Sequence, residues 1–287
     1  MTNIKYFAQY IIIIILFIIY KILGLKLSSF LSGKLFILIG PYFRKNKLSK
    51  KNLTRAFPNF DEKQKIKILK NMWYNYGKIF AEYIFIKDFR HHPKISKKII
   101  IENQEELEKI KNDSKPVIFI SGHFNNFELM AMHIEKSGIE LAAVYRPLNN
   151  KYLNPIMEKI RKNYICKNQI KKGISGTKNL LKHFKNGTSI ALMIDQRVSE
   201  GIKCNFFDEK AFTTTIPAQF VKKYGAKIVP IHIERLKNNN FKLKIYSSLA
   251  FQKDESIEMI TIKLNKILEG MVVKNPDQWI WTHNRWK

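Results

Sequence analysis

The sequence predicts an α/β fold: a mixed, largely parallel sheet covered by helices, preceded by an N-terminal transmembrane helix. Three observations carry this expectation. Short apolar runs of the buried-strand kind alternate with longer segments of helical period. An apolar stretch near the N-terminus is long enough to cross hydrocarbon. The 287 residues are 45% hydrophobic with only 12 Gly and 9 Pro, which supplies a core and excludes a disordered or collagen-like chain.

Residues 6–25 form the apolar stretch, interrupted by one Gln and one Lys. No small-residue cleavage site follows it, so it reads as an anchor and not as a removed signal. One basic residue, Lys5, precedes it. From its C-terminal end through residue 51 there are eight: Lys21, Lys26, Lys34, Arg44, Lys45, Lys47, Lys50 and Lys51. Asp61 is the first acidic residue. Such asymmetry places the body on the cytoplasmic side of a single-pass protein. Residues 27–43 are apolar too, but Lys34, Gly40 and Pro41 interrupt them; they are expected to lie along the interface. The division expected is therefore 1–28 as transmembrane anchor, 29–95 as membrane-associated helices and 96–287 as the α/β core.

Residues 51–87 repeat apolar positions at helical spacing, with a break at Phe57-Pro58 and a cap at Asp61. Strands are expected at 117–120, 141–145, 189–194, 227–233 and 241–246. Helices are expected from the turn after Gly122 through 135, and at 154–164, 176–185, 217–224 and 256–273. A loop should fill the gap after Arg197. Two cysteines, Cys166 and Cys204, exclude a disulfide scaffold and read as free buried thiols.

The net charge is +28, yet only eight of the 51 basic residues are Arg. Part of this is compositional drift toward Lys. The field still draws anionic partners: nucleic acid, anionic lipid or an acidic protein. No helix-turn-helix, RNA-recognition or zinc-finger pattern supports nucleic acid. No Walker or dinucleotide loop, nucleophile elbow or metal-ligand cluster is present, so no metal and no cofactor is expected.

Ligands in such sheets gather beyond the carboxyl ends of strands. Two strands end in polar text, at Ser121-Gly-His123 and at Asp195-Gln-Arg197. Glu128 stands five residues after His123. On one straight helix these would lie about 140° apart and could not meet. They meet if His123 occupies the turn and Glu128 the first turn of the helix, where Glu fixes the tautomer and frees the other nitrogen as a base. The alternative is a capping box in Asn125-Asn-Phe-Glu128, with Glu128 serving only as a helix cap. Trp279, Trp281 and Trp286 read better as core than as interfacial anchors.

Several blocks together resemble the late acyltransferases of lipid A biosynthesis, within the wider glycerolipid acyltransferase-like superfamily with an H-x4-D/E motif. They are Asn52-Leu-Thr-Arg-Ala-Phe-Pro58, Gly122-His-Phe-Asn-Asn-Phe-Glu128, Tyr145-Arg-Pro147, Asp195-Gln196 with Phe206-Phe207 and Thr213-Thr214, and Gln278-Trp-Ile-Trp-Thr-His-Asn-Arg-Trp286. The chain departs from the family in having Asn125-Asn126-Phe127 for Gly-Asn-Trp and His283-Asn284-Arg285 for His-Arg-Arg. The resemblance implies acyl transfer from an acyl carrier protein thioester to a hydroxyl of an anionic lipid A precursor at the bacterial inner membrane. His123 would be the base and Glu128 its partner. Arg146, Asp195, Gln196, Arg197 and Asn126 would contact the acceptor, Arg146 through a fork suited to phosphate. Two other readings are a different glycolipid or glycerolipid acceptor, and a membrane-tethered nucleic-acid-binding protein.

Overall fold

The computed structural model describes residues 2–44, 46–113 and 115–287; Lys45 of the cationic block lies outside them. The chain opens with α1 (Thr2–Phe43), which bends at Gly24. There φ is 74° and ψ 167°, a conformation that essentially only glycine adopts. The kink lies near the expected end of the anchor at residue 28. Beyond it, Lys34, Gly40 and Pro41 do not break the helix, because packing outweighs local propensity. Gly33 and Gly40 let the backbone approach α3 (Glu62–Glu82) so closely that a Cβ would meet the rings of Tyr74 and Trp73. Ser32 Oγ donates to the Gly77 carbonyl at 2.6 Å. Asp61 caps α3 in a reciprocal box with Gln64. Between them, α2 (Asn46–Ala56) stops before Phe57-Pro58, as the sequence predicts.

The body follows in the order α4 (Ile86–His91), β1 (Ile99–Glu102), α5 (Glu105–Asp113), β2 (Ile118–Ser121), α6 (Glu128–Lys136), β3 (Leu141–Tyr145), α7 (Asn154–Tyr164), β4 (Asn168–Lys171), α8 (Ile174–Lys185) and β5 (Ser189–Met193). Then come β6 (Ile202–Phe206), β7 (Glu209–Thr213), α9 (Ile216–Tyr224), β8 (Ile228–Arg235), β9 (Phe241–Ile245) and α10 (Ile257–Lys274). Seven strands form one sheet in the order β1-β9-β8-β2-β5-β3-β4. Every neighbouring pair is parallel except β8 with β9. All four residues of β2 are buried, as are seven of the eight in β8, so both faces of the sheet centre are covered.

The expected loop after Arg197 contains a hairpin, β6–β7. Its two-residue connection, Phe207-Asp208, has φ of 51° and 57°, the backbone of a turn usually marked by Asn-Gly. Without that signal the hairpin is invisible in the sequence. Strands β1 and β4 were also unmarked: β4 reads Asn-Gln-Ile-Lys at the sheet edge. Cys166 and Cys204 are free and buried, and the three C-terminal tryptophans belong to the core.

Candidate active site

The parallel strands β2, β5, β3 and β8 end on one side of the sheet. Just past β2, Gly122 turns the chain. A Cβ there would lie 2.9 Å from Leu268 on α10 and from the Phe124 ring, and 3.3 Å from the Asp195 Cβ. Glycine is needed for that close approach, which brings the ends of β2 and β5 together.

His123 therefore meets Asp195. Its Nδ1 lies 2.7 Å from Asp195 Oδ1, and its backbone N–H donates to Asp195 Oδ2 at 2.7 Å. Trp279 Nε1 donates to the same Oδ2 at 2.9 Å. Asp195 is fully enclosed, its side chain 1% exposed, whereas that of His123 is 18% exposed. Burial works to raise the Asp195 carboxyl, but the charge of His123, both His123 hydrogen bonds and the His283 charge outweigh it and hold the group below the usual carboxylate range. An ionised carboxylate against Nδ1 makes that nitrogen the N–H donor. Nε2 then keeps its lone pair, the arrangement of a positioned base.

Two groups fix the ring further. Phe127 meets it edge-on, with centroids 4.8 Å apart. The Gln196 amide nitrogen lies 3.4 Å from Nδ1 and 3.2 Å from Nε2. The amide is thus within reach of both ring nitrogens, with Nε2 the nearer. The better-formed bond of Gln196 runs to His283 Nε2, at 2.9 Å. Burial, with the nearby charge of His123, pushes His283 down to about 4, so it is a neutral acceptor at ordinary pH.

Glu128 does not take the His123 N–H. It is the first residue of α6, and its Oε1 accepts from Arg161 Nε at 2.9 Å and Nη2 at 2.6 Å. The physical reason is charge: Arg161 on α7 is the ion-pair partner of this carboxylate, while Asp195 is the partner of the imidazole. The capping box is not formed either, since the cap position falls on Phe127 and no side chain caps α6.

Three further candidates take partners within the chain. Asp195 is enclosed behind His123. Asn126 is fully buried, and its amide donates to Glu82 Oε2 at 3.2 Å. Arg197 donates to the terminal Lys287 carbonyl at 3.1 Å and to Ser199 at 3.2 Å. Arg146, by contrast, stands exposed just past β3, with no ion-pair partner among the described residues. Arg161 was missed. Its signal was present, as one of eight Arg in a chain that otherwise uses Lys.

The remaining sequence blocks hold the floor of the site. Asn52 donates to the carbonyls of Trp281 and His283, and Arg55 donates to that of Trp286 at 3.4 Å. Arg285 is buried and donates to the Phe212 carbonyl and the Thr213 hydroxyl. The C-terminal segment thus carries Trp279 and His283 into the site.

The family model of the bacterial lipid A biosynthesis acyltransferases matches residues 1–287. The chain is 21% identical over 264 residues to a lipid A biosynthesis palmitoleoyltransferase of Escherichia coli (strain K12), covering 90% of this chain and 84% of that one. It is 22% identical over 253 residues to the lipid A biosynthesis lauroyltransferase of the same strain, covering 85% and 79%. A match of 21% over 236 residues, covering 80% and 74%, is found with a lipid A biosynthesis acyltransferase 2 of Shigella flexneri. With the matched family spanning every residue, and an α/β sheet presenting a histidine at its strand ends, the chain belongs to the bacterial lipid A biosynthesis acyltransferase family.

Proposed function

We propose that this protein moves a fatty acyl chain from an acyl carrier protein thioester to a hydroxyl of a lipid A precursor, with His123 as general base. The observation that carries the reading is the His123–Asp195 pair, which fixes one ring nitrogen as donor and leaves the other as a partly exposed base. His123 Nε2 takes the proton of the acceptor hydroxyl. The alkoxide attacks the thioester carbonyl carbon and a tetrahedral oxyanion forms. The C–S bond then breaks, and the leaving thiolate takes the proton back from the imidazolium. Neither a metal nor a cofactor enters this sequence.

Asp195 steadies the imidazolium, while Glu128 and Arg161 brace α6 against α7 beside it. Arg146 stands at the end of β3 as the free fork for an anionic group of the acceptor. Helix α1 is long and apolar enough to cross a membrane, with mean hydropathy 2.4 over its most apolar window. We place it in the bacterial inner membrane as the single-pass attachment, with the body on the cytoplasmic side. The net charge of +28 suits both an acidic carrier protein and a phosphorylated lipid.

Mass spectrometry of lipid A from a host lacking its own late acyltransferase, with and without this chain, tests the reading. A mass increment of one acyl chain supports it and reports the chain length. Unchanged lipid A with the protein present and folded would reject it.

A further inference from the structure

A second buried charge pair lies behind the catalytic turn. Glu82, in the last turn of α3, has a fully buried side chain, and that of Arg235, ending β8, is 5% exposed. Their side chains meet in a two-pronged contact, Nη1 to Oε1 at 2.5 Å and Nη2 to Oε2 at 2.9 Å. Burying two charges costs several kcal/mol per ion, and apolar replacements of such pairs are often as stable or more so. Stability alone therefore does not explain a pair at this place.

Its remaining hydrogen bonds do. Arg235 Nε donates to Asn125 Oδ1 at 3.3 Å, and Glu82 Oε2 accepts from Asn126 at 3.2 Å. These are the second and third residues after His123. Asn125 has φ of 40°, a left-handed backbone unusual for a residue with a side chain. Its carboxamide is gripped by Arg235 and by Gln278, and its N–H donates to the Gln278 carbonyl at 3.0 Å. Gln278 in turn accepts from the Arg235 N–H at 2.8 Å and donates to the Arg235 carbonyl at 3.2 Å. The next residue, Trp279, bridges Phe124 and donates to Asp195. From the other side, Ser29 of α1 donates to Glu82 Oε1 at 3.3 Å.

We propose that the buried Glu82–Arg235 pair is the positioning device of the catalytic turn. It holds Asn126 and the left-handed Asn125 in the bend that delivers His123 to Asp195, and it ties that bend to α1 through Ser29. Neither residue touches the reacting atoms; both act through the turn. The inference rests on His123 being the base.

The test compares the full-length wild type with Glu82→Met/Arg235→Met, Asn126→Ala and His123→Ala in mixed micelles, reading kcat, KM for both substrates and thermal midpoint. The double replacement removes both charges together, so no unpaired ion is left in the core. It is expected to keep a thermal midpoint near or above wild type while kcat falls 10- to 100-fold and both KM values hold. Asn126→Ala leaves the ion pair intact and cuts the Glu82 link to the turn while the Arg235 link to Asn125 remains, so it should lower kcat in the same way but by less. Wild-type kcat in the folded double variant overturns the proposal. Should that variant not fold, wild-type kcat in Asn126→Ala overturns it instead. His123→Ala separates the two readings: if it keeps activity, the base assignment fails; if it is inactive while the other variants are normal, only the positioning role fails.

Discussion

His123 and Asp195, 72 residues apart in the chain, are joined by two hydrogen bonds of 2.7 Å, one from the ring and one from the backbone. A carboxylate held this way fixes both where the histidine sits and which nitrogen carries its proton. Asp195→Asn keeps the shape but presents an amide, which favours the wrong tautomer. In a Ser-His-Asp enzyme the corresponding change lowers turnover about 10⁴-fold; here a loss of about 10³–10⁴-fold in kcat is expected, with the fold intact. Steady-state kinetics beside a melting curve checks this, and a loss under tenfold would remove Asp195 from the mechanism.

The pairing of Glu128 with Arg161 leads to a different expectation for Glu128→Gln. Leaving Arg161 without its charge partner in a mostly buried place should cost about 3–5 kcal/mol of stability. The pH dependence of kcat/KM at permissive temperature should be unchanged, because Glu128 does not touch the imidazole. A displaced limb of that profile, without loss of stability, would return Glu128 to the role of histidine partner.

Much of this was legible in the sequence, and the exceptions share a cause. Strand β3 and helix α7 fall at their expected bounds because apolar period and flanking breakers are local signals. His123 was legible as well, standing between a buried strand and a helix. Its partner was not. The spacing to Glu128 is a local pattern, whereas Asp195 reaches His123 only because β2 and β5 pair side by side. The Glu82–Arg235 pair spans 153 residues and leaves no local trace. Asn125 is a further case: its positive φ is a backbone property that the sequence alone could not reveal.

Acid should weaken the fold through three histidines. Burial pushes His133, His232 and His283 each from 6.5 down to about 4. Between those values the unfolded chain binds protons that the folded chain refuses, so stability rises with pH across the window and is lost as pH falls from 6.5 toward 4. Asp195, depressed below 3.8, adds a further loss below that pH. Chemical denaturation at pH 7, 5.5 and 4.5 should show a falling midpoint. His232→Gln should flatten the slope, and an identical slope would contradict the assignment.

Exposed Arg146 is expected to act on the acceptor alone. Arg146→Ala should lower kcat/KM for the lipid acceptor about 10- to 100-fold, the loss of one or two hydrogen bonds to charge. The KM for the acyl donor should hold. Arg146→Lys should recover only part, since an ammonium lacks the planar fork. Varying each substrate in mixed micelles separates these outcomes, and equal small effects on both would mark Arg146 as ordinary surface charge.

The most direct measurement is the turnover of His123→Ala with acyl carrier protein thioester and lipid A precursor, made on protein whose melting midpoint matches wild type. Loss of a general base predicts a fall of about 10²–10⁴-fold in kcat, with binding of both substrates retained. Near-normal turnover by that folded variant would contradict the account at its centre.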